Sequence, residues 1–338
     1  MGAEIAIAHG LRYVVDDLAA TRASVLIAVP LLWETMYRRI MDSIRTAPMG
    51  KAKLGFGMAV SSVSDRIGLR GIRKKLFGKV HERFGGNLRL LISGGAGIDP
   101  EVIEGFEKLG FKILQGYGLT ETAPIIAANR PEANRYGSVG PVFPEMECRI
   151  DQPDGFGVGE IVVKGPNVML GYYGDPEATA EVLSEEGWFR TGDFGYLDNE
   201  GFLFITGRKK NLIIAKNGKN VYPEEIETRL NRFRHVKECI VFSRKSETKG
   251  EDICALVFPD KDLLIKEAED QNRKITRQDE IQAVREAVKK YNAEAETHKR
   301  VAGFIVSDDE FPKTTTKKIR RNAALKEAGI SPGEIFKP

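Results

Sequence analysis

Two glycine turns, each following a short apolar run, carry the residue types in this sequence best suited to gripping an anion. Gly94-Gly-Ala-Gly97 follows Leu88–Ser93, and Gly116-Tyr-Gly-Leu-Thr-Glu121 follows Phe111–Gln115. Glycine lets backbone amides come close to an anion, as a phosphate cradle requires. Thr120 adds a hydroxyl for a phosphate oxygen. Glu121 adds carboxylate oxygens for Mg2+, a hard ion that favours oxygen ligands and nucleotide phosphates. A tight turn capped by an acid is the alternative. In Phe189-Arg-Thr-Gly-Asp193 a carboxylate stands just after a glycine; it could accept both hydroxyls of a ribose, or simply belong to a surface turn. Gly207-Arg208 supplies a permanently charged, fork-shaped donor for ribose or phosphate, the alternative being a solvated charge. Pro312-Lys-Thr-Thr-Thr-Lys-Lys-Ile-Arg-Arg321 is a basic run without interleaved aromatics, which disfavours stacking on nucleic-acid bases. A membrane patch or a solvated tail stay open for it.

The elements around these residues follow from local patterns. Val25–Val29 is apolar throughout and reads as a strand buried on both faces. Pro30 follows, and Leu32, Met36, Ile40 and Ile44 recur every fourth residue, which predicts an amphipathic helix with Pro near its start. Residues 51–86 read as basic helices and loops without chemistry. Leu88–Ser93 predicts a strand and Asp99-Pro100 the capped start of a helix running to Leu109, which Gly110 can end in the left-handed conformation. Phe111–Gln115 predicts the return strand of a parallel unit, and ligands of such sheets bind outside the carboxyl ends of the strands. Both glycine turns fall there. From Arg135 to Gly207, short strands with Gly and Pro turns predict antiparallel, barrel-like structure. Beyond Arg208 a smaller α+β set is expected: a helix from about Pro223, strands near 236–243 and 251–258, a long helix near 277–298 and a strand at 303–307. Lys216–Glu225 is a loop feeding the first of these helices, with acids in its opening turn.

Composition narrows the class. The 338 residues suggest two domains, and 42% apolar with 29% charged residues is ordinary globular usage. This excludes a disordered tail, a collagen-like rod and a coiled-coil array. A formal charge of +3 argues against a dedicated nucleic-acid binder. Cys148, Cys239 and Cys254 are far apart and odd in number, so neither a disulfide framework nor a zinc site is expected; they read as small buried apolar residues in a reducing cytoplasm. The four histidines form no metal pair. The N-terminus has no basic region ahead of an apolar stretch, and the run Val25–Trp33 is interrupted by Pro30 and too short to span a bilayer.

Taken together and in this order, Ser93–Gly97, Gly116–Glu121, Gly159–Tyr172, Trp188–Asp193, Gly207–Glu227 and Pro312–Arg321 resemble the adenylate-forming superfamily, which includes acyl-CoA synthetases, peptide adenylation domains and firefly luciferase. The spacing before Ser93 is most similar to medium- and long-chain fatty acyl-CoA ligases. The resemblance implies an α/β plus α+β fold. Residues 1–207 would be the C-terminal part of the large domain, with an α/β sheet part at 1–134 and a β-rich part at 135–207, and 208–338 a small mobile domain. It implies that Gly94, Gly95 and Ala96 line an adenine with Tyr117 stacked on it. Gly116 and Gly118 would shape the phosphate turn, with Thr120 at the phosphate and Glu121 at Mg2+. Asp193 and Arg208 would hold the ribose, Lys210 would be the hinge, and Gly218 would flank the CoA tunnel. Lys318 would be the catalytic lysine joining carboxylate and α-phosphate. The substrates implied are a fatty acid, ATP and CoA, with AMP as a product and no nucleic acid.

Two departures accompany the resemblance. Residues 1–92 contain no Ser/Thr/Gly-rich loop ending in Lys, so the expectation is the C-terminal portion of a longer enzyme, either incomplete alone or serving as an AMP- or CoA-binding module. In addition, Lys317 stands where the family usually has Gly. A peripheral membrane contact is compatible with a greasy substrate, although no amphipathic anchor is visible.

Overall fold

Ordinary capping chemistry starts the helix nearest the glycine turns. In the computed structural model, which describes residues 2–10, 13–46, 77–245, 251–314, 318–329 and 335–338, the Asp99 side chain accepts the amide N–H of Glu101 at 2.9 Å. Pro100 occupies the first helical position, and Gly110 closes the end with φ +91°. This helix, Pro100–Lys108, packs on a four-stranded sheet. Its strands are β1 (Val25–Ala28), β2 (Leu90–Ser93), β3 (Ile113–Gly118) and β4 (Ile125–Ala128), in that order. β1 runs parallel to β2 (Ala28 beside Ser93), and β2 parallel to β3 (Ser93 beside Gln115); β4 returns antiparallel. The predicted helix after Pro30 is present as Pro30–Thr46, flanked by Val14–Thr21 and Gly78–Arg83. Trp33, Phe106, Phe111, Leu91 and Ile113 form the core between helices and sheet. Most of the stretch 51–86, expected to be helices and loops, lies outside the described residues.

The expectation that Val25–Val29 is buried on both faces does not hold. Leu26 and Ala28 pack against the core, but Val25 and Ile27 remain 39% and 73% exposed. Successive side chains of a strand point to opposite faces; β1 is the edge strand, and no described residue covers its second face. An all-apolar run therefore does not prove two-sided burial.

Glu34, in the first turns of the helix Pro30–Thr46, sits near the Asp99 cap. Burial, together with the Asp99 carboxylate and against the pull of Arg38, pushes its carboxyl up from 4.5 to about 6. The folded chain thus holds this proton more tightly than the unfolded chain, and stability falls as pH rises from 4.5 to about 6. Glu34→Gln is expected to raise the unfolding free energy at neutral pH by about 2 kcal/mol. Urea denaturation should show the two curves merging below the lower limit of that window; a constant difference at all pH values would refute the assignment.

The β-rich stretch supplies β5 (Gly140–Pro141), β6 (Glu147–Asp151), β7 (Gly159–Lys164), β8 (Phe189–Leu197) and β9 (Phe202–Arg208), together with a short helix, Pro176–Val182. The sheet order is β5-β9-β8-β7-β6. This is an open sheet and not the barrel-like closure expected. β5 is two residues long and pairs with β9 alone within the sheet (Gly140 beside Leu203), too short to carry the stagger that closure needs.

After β9 come a small hairpin, β10 (Ile213–Ile214) with β11 (Asn220–Val221), and the helix Pro223–Leu230. A three-stranded sheet follows: β12 (Val236–Lys245), β13 (Glu251–Pro259) and β14 (Gly303–Val306), antiparallel then parallel. Helices Lys261–Glu269, Arg277–Glu294 and Arg321–Glu327 complete the set. Both faces of this sheet are covered, which explains the unbroken apolar run of β13. Cys254 is buried alongside; Ala255 and Val257 enter one core with Ile226, Leu230, Val284 and Tyr291, whereas Leu256 and Phe258 enter another with Ile240, Ile305, Phe311 and Ala324. The long helix starts from a reciprocal cap, in which the Thr276 amide donates to Asp279 Oδ2 at 2.8 Å and the Asp279 amide to Thr276 Oγ1 at 3.3 Å. All three cysteines are free; Cys239 and Cys254 are buried and Cys148 half-buried, and burial raises each thiol.

The chain divides into two compact units. The first comprises residues 1–151, 162–191 and 196–205; the second comprises 152–161, 192–195 and 206–338. No described helix is long and apolar enough to cross a membrane.

Candidate active site

In the first unit, parallel pairing of β2 and β3 sets the two glycine turns side by side at their carboxyl ends. The Gly94 amide completes the ladder by donating to Ala28 O at 3.3 Å. Gly95, Ala96 and Gly97 then lie exposed, and among the described residues their amides make no hydrogen bond. Three unpaired amides in succession suit an anion or the edge of a base. Space supports the same use. A Cβ built at Gly97 would meet nothing within 4 Å; at Gly94 it would lie 3.9 Å from Gly116 O, and at Gly116 3.6 Å from Ala127 O. The protein's own packing therefore does not demand glycine at these three positions. Gly118 differs, because there a Cβ would fall 1.7 Å from Pro124 O; the backbone passes too closely for any side chain.

The turn that follows is braced by a segment whose role the sequence did not disclose. The Thr122 hydroxyl accepts the Leu119 amide at 3.1 Å and donates to Pro124 O at 2.9 Å. Asn167 donates to the carbonyls of Thr122 (2.6 Å) and Ile125 (2.8 Å), and the Met169 amide donates to Glu121 O at 2.8 Å. Tyr172 donates its hydroxyl to Glu121 Oε1 at 3.0 Å. Burial, then the bond to Glu121, holds the Tyr172 phenol above its ordinary range. Thus Asn167, Met169 and Tyr172 of the run Gly159–Tyr172 hold Glu121 in place. The signal was present in the sequence only as a motif; nothing in its composition said what it touched. Thr120 is exposed, Glu121 half-buried, and Tyr117 half-buried on β3. No cluster of three potential ligands exists among the described residues. A metal would therefore take Glu121 plus oxygens from its substrate, the usual arrangement for Mg2+. With Oε1 engaged by Tyr172, Glu121 retains a second oxygen for such an ion, so the donor set fits.

The second unit brings Asp193 and Arg208 together. Asp193 on β8 is buried, with a side chain only 5% exposed, and Arg208 at the end of β9 places Nε 2.7 Å from its Oδ1. A buried carboxylate needs such a partner; the guanidinium keeps further donors, since Arg carries five N–H groups. The next turn, Lys209–Asn211, is anchored on both sides: Lys209 pairs with the buried Glu160 at 2.8 Å, and Asn211 donates to Glu224 at 2.5 Å. Lys210, between them, is exposed and has no ion pair among the described residues. Gly218 lies exposed at the tip of the β10–β11 hairpin with φ +78°, its amide donating to Ala215 O at 2.8 Å. Lys318 is exposed, its amide donating to Thr314 Oγ1 at 3.1 Å; Lys317 lies outside the described residues.

Comparison with known proteins gives the family. A family model described as AMP-binding enzyme matches residues 2–173, and one described as AMP-binding enzyme C-terminal domain matches residues 210–328. The chain belongs to the AMP-binding enzyme family, the adenylate-forming superfamily. It is 42% identical over 180 residues to an indoleacetate–CoA ligase of Aromatoleum aromaticum, covering 51% of this chain and 35% of that protein. It is 32% identical over 274 residues to the peroxisomal long chain acyl-CoA synthetase 6 of Arabidopsis thaliana, covering 74% of this chain and 37% of the other. The crystal structure of ATP-bound MatB from Rhodopseudomonas palustris matches with a TM-score of 0.65 at 27% identity, over 94% of this chain and 53% of that one. The chain thus spans about half or less of the length of these relatives.

Proposed function

We propose that this chain carries the nucleotide-holding turns and the reactive lysine of an AMP-forming acyl-CoA ligase whose acid is a fatty acid. The observation that carries the reading is the pair of adjacent glycine turns at the carboxyl ends of β2 and β3, with unpaired amides at Gly95–Gly97 and room left at Gly94 and Gly116. In this reading Gly94, Gly95 and Ala96 face the adenine and Tyr117 stacks on it. Asp193 accepts from the ribose hydroxyls while Arg208 orients it. Lys210 is the hinge and Gly218 borders the path of the CoA arm. The long chain acyl-CoA synthetase relative supports a fatty acid; the indoleacetate–CoA ligase relative makes an aryl acid the competing outcome.

The chemistry accounts for the residue types. A carboxylate oxygen bonds to the α-phosphorus of ATP, the bridging P–O bond to the β-phosphate breaks, and pyrophosphate leaves with the electron pair. The CoA thiolate then bonds to the acyl carbon, the C–O bond to the adenylate breaks, and AMP departs. The first step joins two anions, so a cation at the meeting point lowers its barrier. Lys318 supplies that charge, with Thr120 donating to a phosphate oxygen. Mg2+, held by Glu121 and phosphate oxygens, would neutralise part of the phosphate charge when bound.

A second reading is a binding module that holds AMP or CoA without turnover. It needs only the turns at Gly94–Gly97 and Gly116–Glu121, whose exposed amides and open space suit a nucleotide with or without turnover. Calorimetric titration with AMP and ATP–pyrophosphate exchange driven by palmitate or indoleacetate separate the two. We expect AMP binding with exchange near background. Robust palmitate-driven exchange that Lys318→Ala abolishes would overturn the module reading. A preference for indoleacetate would overturn the fatty acid, and a failure to bind AMP would overturn both readings.

A further inference from the structure

Lys318 stands on a short two-stranded turn whose base is fastened to the sheet of the second unit by two carboxylates. Residues Lys313 and Ile319 pair across the turn, the Thr314 amide donates to Lys318 O at 2.8 Å, and the Arg320 amide donates to Pro312 O at 2.7 Å. On the incoming side Glu238 of β12 pairs with Lys313 and accepts the Phe311 amide at 3.0 Å. Lys313 also reaches Glu310 at 3.1 Å, which in turn holds Lys237 at 2.7 Å. On the outgoing side Arg321 donates from Nη2 to Glu227 Oε1 at 2.6 Å and from Nη1 to Val241 O at 2.7 Å. Glu227 Oε1 also accepts the Val241 amide at 2.6 Å.

β12 is an edge strand, so the outward backbone groups of Val241 have no neighbouring strand. Glu227 and Arg321 satisfy both of them, and the same two side chains close the turn's exit. Side-chain exposures are 20% for Arg321 and 15% for Glu227, and 19% for Lys313 and 10% for Glu238. Such pairs are shielded from salt in a way that surface pairs are not. Lys318 is exposed and has no ion pair among the described residues.

We propose that Arg321 with Glu227, and Lys313 with Glu238, are positioning residues that hold the Lys318 turn in register for its work at the nucleotide. The proposal rests on the reading of Lys318 given above. A lone lysine on a loose turn would sample many positions; two part-buried, hydrogen-bonded side-chain pairs at the base restrict where its ammonium can go, which is what preorganised stabilisation of a developing charge requires.

The test uses the full chain, the variants Arg321→Leu, Arg321→Lys and Lys313→Met, and AMP as probe. Hydrogen exchange reads the turn itself: Arg321→Leu is expected to speed exchange of peptides covering residues 318–321 by about tenfold or more while β13 peptides stay unchanged. Labelling of Lys318 by an amine-directed sulfonate reagent, followed by peptide mass spectrometry, reads its position. At saturating AMP this labelling should be slowed severalfold in the parent chain, and that protection should be lost in Arg321→Leu and regained in part in Arg321→Lys. A folded Arg321→Leu chain with parental exchange and parental protection overturns the proposal. If Arg321→Leu does not fold, Lys313→Met decides on the same two readouts. Failure of AMP to protect Lys318 even in the parent overturns instead the role given to that lysine, while the exchange result still decides whether the clamp exists.

Discussion

Gly118→Ala is expected to destabilise the first unit by roughly 4 kcal/mol or more and to abolish AMP binding. The new Cβ would sit 1.7 Å from Pro124 O, 2.6 Å from its carbonyl carbon and 2.8 Å from Ile125 Cα, all backbone atoms of the return into β4. No rotamer change relieves such a contact, so the β3–β4 pairing must shift, and with it the Thr122 brace and Glu121. Gly116→Ala is the informative control. Its Cβ would make ordinary contacts, 3.6 Å to Ala127 O and 3.8 Å to Ala128 Cβ, so the fold should keep its stability within about 1 kcal/mol. If the space over Gly116 belongs to a nucleotide, the same methyl should lower AMP affinity by about tenfold or more. Thermal unfolding and calorimetric titration on both variants check this. Equal effects on stability would refute the packing argument; unchanged AMP affinity in Gly116→Ala would refute the ligand argument.

Arg208→Leu should leave Asp193 as a buried carboxylate without its cation. Removing one partner of a buried pair is far more damaging than removing both. Because Arg208 is 41% exposed, the effect should be at the low end for such pairs, about 2–3 kcal/mol, although Asp193 itself is only 5% exposed. The double variant Asp193→Leu, Arg208→Leu should recover most of that stability. Neither variant should bind AMP well, since one lacks the guanidinium that pairs with the carboxylate and the other lacks both groups. Urea unfolding followed by signals from the second unit, with AMP titration alongside, tests both halves. Should Arg208→Leu unfold like the parent, the pair is not what keeps Asp193 in place; should the double variant bind AMP like the parent, ribose recognition lies elsewhere.

Short-range chemistry accounts for the part of the fold that is legible in the sequence. Caps and turns act through a few neighbouring residues, so Asp99-Pro100 and Gly110 announced the helix Pro100–Lys108 almost to the residue. Apolar period likewise announced the helix after Pro30, and the α+β order after Arg208 appeared as expected. The helices Val14–Thr21, Pro176–Val182, Lys261–Glu269 and Arg321–Glu327 carry no such local announcement; each is seven to nine residues long, too short to show a clear apolar period.

By itself the sequence determined the local elements, the family, and the residue types at each glycine turn, because these depend on contacts a few residues long and on ordered motifs. Only tertiary structure decided that no described residue covers Val25 and Ile27 of β1, that the β-rich stretch is an open sheet, and that Asn167, Met169 and Tyr172 brace Glu121. It also decided that Asp193 meets Arg208, and that Glu227 and Glu238 clamp the turn bearing Lys318. These bonds join residues 15 to 94 positions apart, or depend on which strand lies at a sheet edge. Local propensity carries no information about either, since a carboxylate has the same preferences whether its cation is three residues away or on another element.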